Sequence, residues 1–169
     1  MTNWTIRPET PADIDQIHSI NAAAFETEGE ADLVDALRAD PQAWIRGLSR
    51  VAVAPDGETV GHVLFTRCRI GGEDALALAP VAVMPSFQRA GAGAALIAAG
   101  LDAARSFGEN AVVVLGHPDY YPRFGFTRAS LAGISAPMEV PDEALMALGL
   151  DPERSLPSGV IEYAAPFGL

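Results

Sequence analysis

The stretch VAVMPSFQRAGAGAALIAAGL, residues 81–101, decides the fold. An apolar, β-prone run stops at Met84-Pro85. An aromatic, Gln88 and Arg89 follow, and then Gly91 and Gly93 open a helix rich in alanine and leucine. That helix is predicted to run over residues 91–107 and to close at Gly108, with the apolar run NAVVVLG (110–116) as the next strand. A strand–helix–strand crossover of this length favours a parallel pair. The first-turn N–H groups of a helix lack backbone partners and lie at the positive end of its dipole, so a glycine-rich turn there suits a phosphate.

Upstream, NWTIRPE (3–9) alternates like a short strand, and Ile14, Ile17, Ile20 and Phe25 recur at helical spacing after Pro11 and Asp13. EADLVDALRA (30–39) reads as a second helix, ended by Asp40-Pro41. From about Ser49 the period changes: SRVAVAP and TVGHVLFTRCRI are joined by Asp56-Gly57, and Gly71-Gly72 turns into DALALAPVAV. These segments predict an antiparallel meander. Downstream, HPDYYPRFGF (117–126) predicts one helical turn ending at Gly125. A proline-rich run follows, with a short helix expected over 142–148, and GVIEYAAPF (159–167) predicts a last strand. The expected architecture is one mixed α/β domain over residues 1–169, an antiparallel meander plus a splayed parallel pair flanked by helices.

The net charge is −11, and all 11 basic residues are arginines. An acidic chain is repelled by a phosphate backbone, which argues against nucleic acid as a partner, and an acidic surface favours solubility. Without lysine there is no P-loop of the NTPase kind. No apolar run reaches the roughly 18 residues of a membrane span, no basic-then-apolar leader is visible, and the single Cys68 gives no internal disulfide. A cytoplasmic protein is the expectation.

Three readings compete for QRAGAGAAL. The dinucleotide fingerprint fits Gly91 and Gly93, but Leu96 stands where the third glycine belongs, and residues 84–90 separate the strand from the turn. A glycine turn can also merely let a small-residue helix pack closely. The third reading uses the whole stretch, because Val81, Val83, Pro85, Phe87, Gln88, Arg89, Gly91, Gly93 and Leu96 fall on the pattern of the GNAT acetyltransferase superfamily's acetyl-CoA-binding motif, which this stretch resembles. The resemblance implies that Gln88, Arg89, Ala90, Gly91, Ala92, Gly93 and Ala94 cradle the pyrophosphate of acetyl-CoA. It implies also that backbone groups of Val81, Ala82 and Val83 pair with the pantetheine arm. Glycine there lets the backbone approach the ligand without a Cβ in the way. Arg89 either adds a charge-assisted contact or is a solvated surface residue.

YYPRFGF (120–126) resembles the superfamily's second signature, with Tyr121 in the tyrosine position and Gly125-Phe126 as its Gly-Phe. The resemblance implies that Tyr121 lies by the coenzyme sulfur as general acid; the plainer alternative is packing. The base is less legible. Glu26, Glu28 and Glu30 fall between the first two helices, a region that in the superfamily borders the acceptor site together with Phe25. They serve equally well as helix-start capping residues. His117 lies between the strand and Tyr121 and either approaches the thioester or ends the strand. His18, His62 and His117 form no metal-ligand spacing, and no metal is implied. Taken with the terminal GVIEYAAPF, the segments 23–38 and 112–126 resemble a bacterial YhbS-like subgroup. His117 departs from the acidic residue expected in LGDP, and residues 133–158 depart through their prolines.

These readings lead to an acetyl-CoA-dependent N-acetyltransferase. The cofactor is expected where the strand over 75–83 splays from the one over 111–115, with an oxyanion donor from a backbone N–H near Val83. The expected acceptor is a small-molecule or peptide amine, and the resemblance implies a homodimer. The alternative is a non-catalytic coenzyme A or acyl-CoA-binding module.

Overall fold

A computed structural model describes residues 3–169. The meander is formed by β1 (Thr5–Pro8), β2 (Ser49–Val53), β3 (Thr59–Ile70) and β4 (Glu73–Val83), each antiparallel to the next. The Asp56-Gly57 and Gly71-Gly72 turns connect its strands as expected. The helix α3 (Ala92–Ser106) crosses over from β4 to β5 (Ala111–Leu115), and these two strands are parallel.

Two further helices, α1 (Ile14–Phe25) and α2 (Gly29–Arg38), pack on the face of the sheet opposite α3. The period-two alternation of β3 explains how one strand serves both faces. Val63 and Phe65 join Leu96, Ile97 and Leu101 in the α3 core, whereas Leu64 joins Ile17, Val34 and Leu37 under α1 and α2. Covered on both sides, β3 is buried without a break from Val60 to Thr66.

The expected helix over 142–148 does not form. Only a 3-10 turn, Asp142–Ala144, precedes further strand. In chain order, β6 (Thr127–Arg128), β7 (Ile134–Ser135), β8 (Leu145–Gly149) and β9 (Gly159–Glu162) complete the sheet. EALMALG has strong helix formers, but β5 has an open edge, and β8 fills it along its whole length from Ala111↔Gly149 to Leu115↔Leu145. Leu145, Met146 and Ala147 are thereby buried on a sheet surface that a helix would cover only partly. β6 extends this edge, and β9 pairs with the far end of β3 and with β7.

Two polar clusters tie the N-terminal strand to the helices. Asp13 is buried and accepts from Arg7 Nη1 and Nη2 at 2.7 and 2.9 Å and from the Thr10 N–H at 2.7 Å. Arg7 and these bonds hold its carboxyl at about 2, below the usual carboxylate range. A carboxyl with a depressed folded-state pKa contributes stability above its unfolded value near 4 and loses it as pH falls toward about 2. The thermal midpoints of the wild type and of Asp13→Asn are therefore expected to converge as the pH is lowered through that window.

The second cluster is deeper. Arg38 Nε and Nη2 each donate to Glu9 at 2.9 Å, and Ser49 Oγ donates a short hydrogen bond to the same carboxylate. His62, fully buried, lies 2.9 Å from Ser49 Oγ through Nε2 and 3.2 Å from Asn21 Nδ2 through Nδ1. Since the Ser49 proton goes to Glu9, Nε2 is the protonated nitrogen and Nδ1 accepts from Asn21. Burial pushes His62 down to about 3, so the imidazole is neutral.

Candidate active site

β4 and β5 pair only at Leu76↔Val112 and Ala77↔Val113. Beyond these residues the strands part, and a bulge in β4 marks the place. Between Val63↔Val81 and Phe65↔Leu78, the single residue Leu64 faces both Ala79 and Pro80. Past the bulge the Met84 N–H donates to Val60 O at 2.8 Å, so alternation turns Ala82 toward β3 and leaves the backbone groups of Val81 and Val83 pointing into the gap. Of the three strand positions expected to meet a pantetheine arm, Val81 and Val83 present their backbone there. Ala82 is buried against His62 of β3.

On the α3 side the gap opens into a cavity of about 380 Å³ lined by Val83, Gln88, Arg89, Gly91, Ala92, Gly93 and Ala94, with Phe87, Tyr120 and Arg123. Arg89 and Gly91 both hold left-handed backbone, φ 63° and 89°. Such reversals turn successive N–H groups to one side and make an anion-binding concavity at the helix start. A Cβ on Gly93 would lie 3.8 Å from Tyr120 Oη and about as far from Val81 and Val83, so a side chain there would fill the groove between helix and strand. Ala90 does not line the cavity; its carbonyl accepts from Trp4 Nε1 at 3.1 Å, which braces the loop from the residue just before β1. Gln88 Nε2 donates to Val83 O at 3.0 Å.

On the other side of β4 lies a second cavity, about 300 Å³, lined by Phe25, Glu30, Leu33, Leu78, Ala79, Pro80, Val81, Leu115 and Tyr121. Tyr120 and Tyr121, edge to face at 5.2 Å, thus stand one on each side of the gap. The Tyr121 ring occupies the space a side chain at position 116 would need; a Cβ on Gly116 would overlap it. Burial and the neighbouring Tyr120 push the Tyr121 phenol above its ordinary value, so it holds its proton at neutral pH. Larger concavities, about 700 Å³ beside Arg67 and Tyr163 and about 650 Å³ beneath Met138 and Val140, touch neither the glycine turn nor Tyr121. Cys68, at the first of these, has its thiol pushed up to about 12 by burial and is no nucleophile.

The structure brings Phe25 and Glu30 to the second cavity and leaves Glu26 and His117 outside its lining. Glu26 is exposed at the C-terminus of α1 with φ 60°, and His117 is exposed, its carbonyl accepting from the Tyr120 N–H at 3.1 Å. Glu28 is engaged elsewhere, 2.7 Å from His18 Nε2. His18, Glu28 and Asp32 come within 4.8 Å of one another. However, both ring nitrogens of His18 already meet carboxylates, Asp35 at 2.8 Å being the other, and those bonds raise its pKa and favour an imidazolium rather than a metal ligand.

Sequence reasoning missed Arg123. It donates from Nε to Tyr120 O at 2.9 Å and stacks over the Tyr120 ring, 4.2 Å from its centroid, which aims a second guanidinium at the cavity of the glycine turn. Its place two residues after Tyr121 in YPRFGF was the available signal.

A glycine-turn helix facing parted parallel strands, with a tyrosine at their junction, defines a coenzyme A-type acyltransferase site, and residues 14–126 match the acetyltransferase (GNAT) family. The chain belongs to that family. It is 38% identical over 146 residues to the uncharacterized N-acetyltransferase YjhQ of Escherichia coli K12, covering 83% of this chain and 80% of the relative. To the uncharacterized N-acetyltransferase YhbS of the same strain it is 38% identical over 127 residues, 74% of each. Among solved structures, YhbS from E. coli in complex with CoA superposes with a TM-score of 0.91 at 31% identity, covering 100% of this chain and 94% of that one. A GNAT family acetyltransferase from Brucella melitensis in complex with acetyl-CoA gives 0.80 at 34% identity and 98% coverage of both.

Among the described residues no helix is long and apolar enough to cross a membrane.

Proposed function

We propose that the protein transfers the acetyl group of acetyl-CoA to a primary amine by direct attack, with no acyl-enzyme. The observation that carries this reading is the pair of cavities on either side of the β4–β5 gap, with Tyr121 at their junction. Bound acetyl-CoA supplies a thioester: the amine nitrogen bonds to its carbonyl carbon, the carbon–sulfur bond breaks, and an amide and the free thiol result.

The chain's own groups divide the remaining work. The N–H groups of the glycine turn hold the pyrophosphate, with Arg89 and Arg123 on its rim. This is how a chain of net charge −11 binds a polyanion: the helix end supplies the local positive potential. The inward N–H groups near Val83 donate to the carbonyl oxygen as charge develops on it. Glu30 is the one carboxylate lining the second cavity among the described residues, and it takes the proton that the amine must lose. Tyr121 donates a hydrogen bond to the departing sulfur. Because its phenol is raised while a thiol titrates near 8.5, it shares its proton rather than giving it up, and solvent completes the protonation.

The test is a calorimetric titration with acetyl-CoA, with NAD and ATP as controls, followed by an assay of thiol release with amines. One-to-one binding of acetyl-CoA alone and amine-dependent thiol release is the expected result. Binding without transfer to any amine would favour a binding module, and no binding would end the reading. In the same titration Arg123→Ala is expected to weaken acetyl-CoA binding by about tenfold, the loss of one charge-assisted contact of roughly 1.4 kcal/mol.

A further inference from the structure

The walls of the second cavity also narrow the acceptor, an inference that rests on the transferase reading above. Phe25, Leu33, Leu78, Pro80 and Leu115 form an apolar surface around Glu30, and with Tyr121 these two are the only polar side chains lining the cavity among the described residues. Two of its walls, Phe25 and Leu115, remain 38% and 45% exposed, large hydrophobic side chains left facing water at the mouth of one cavity. Apolar surface held open beside a single charge marks a recognition site for a molecule of matching pattern. At about 300 Å³ the space is small, and the acetyl end must share it.

We infer that the preferred acceptor is a compact apolar monoamine, an alkyl- or arylalkylamine with a primary amino group and no carboxylate. Its ammonium meets Glu30 on arrival and loses one proton there; the second leaves through solvent as the amide forms, solvent returning one to the coenzyme sulfur, while the hydrocarbon tail lies against Phe25, Leu33 and Leu115. The products are the N-acetylated amine and free coenzyme A. An α-amino acid with the same side chain brings a carboxylate. No arginine lines this cavity, and Glu30 would repel the anion. A peptide brings backbone N–H and C=O groups, for which these walls offer no side-chain partner besides Glu30 and Tyr121.

Matched pairs test this with the intact protein and acetyl-CoA, following thiol release: phenethylamine against phenylalanine, 3-methylbutylamine against leucine, and pentylamine against cadaverine. Each apolar monoamine is expected to exceed its partner in kcat/KM by at least about tenfold, the factor set by one uncompensated charge worth roughly 1.4 kcal/mol. Leu115→Arg, at a half-exposed wall position, should narrow the phenethylamine-to-phenylalanine ratio by supplying the missing cation. Equal or reversed preferences in these pairs would overturn the class while leaving the transferase reading intact, as would acetylation of a peptide alone. If acetyl-CoA binds and none of the amines, amino acids or peptides reacts, the class and the transfer reaction fall together. Absence of acetyl-CoA binding would remove the cofactor assignment as well.

Discussion

Tyr121→Phe is expected to lower kcat by about 10²-fold, the lower end of what a positioned acid contributes, with the affinity for acetyl-CoA unchanged. The ring, which fills the space beside Gly116 and packs against Phe124 and Phe126, is kept by the substitution, so the fold and both cavities survive. What is removed is one hydroxyl with no hydrogen-bond partner among the described residues, at the junction where the proposed reaction releases the thiolate. The pH profile gives a second readout. Since burial raises the phenol, the loss of rate caused by its ionisation belongs above pH 10, and the variant should lack that alkaline limb. A parallel fall in affinity and rate would make Tyr121 a packing residue, and an unchanged rate would leave the sulfur to solvent. Stopped assays of kcat beside calorimetric Kd values separate these outcomes.

Arg38→Met should cost about 3 kcal/mol of folding stability, near the lower end for removing one partner of a buried ion pair, because both side chains keep some exposure. Among the described residues Arg38 is the only countercharge bonded to Glu9, whose carboxylate also accepts from Ser49 Oγ. Loss of the guanidinium strands that charge between β2, β3 and the helices, and Ser49 and His62 lie in the same hydrogen-bond chain. Arg38 also covers Trp44, 5.1 Å from the ring centroid, so some packing goes with it. A urea midpoint lowered with an unchanged m value is the expected signature. Adding Glu9→Gln should restore part of the loss, because the charge left uncompensated is then absent; no restoration would place the effect in the Trp44 and Asp35 contacts instead.

Glu30→Gln provides a smaller companion experiment. Amine-dependent turnover should fall while acetyl-CoA binding stays, since Glu30 lines only the acceptor-side cavity. A drop in acetyl-CoA affinity would contradict that division of the site.

The local features of the chain were legible because each is enforced over a short range. Gly91 and Gly93 before an alanine-rich run, Asp56-Gly57, Gly71-Gly72 and the alternation of β3 state their backbone requirements within a few residues. The parallel return from α3 to β5 follows from the crossover's length. The stretch over 142–148 misled for the opposite reason: its helix formers express an intrinsic preference, and only the open edge of β5 outweighs it. Nothing within EALMALG encodes that edge.

For the site, sequence alone determined the glycine turn at a helix start and the tyrosine after the next strand, because a helix end and a rigid turn state their geometry locally. Tertiary structure decided which of Glu26, Glu28, Glu30 and His117 reaches the cavity: Glu30 lines it from the first turn of α2, Glu26 is exposed at the end of α1, and His18 draws Glu28 away. It also decided that Arg123 stacks over Tyr120 into the other cavity, and that the walls around Glu30 are apolar. Those walls come from α1, α2, β4 and β5, elements up to some ninety residues apart whose convergence depends on packing both faces of one sheet.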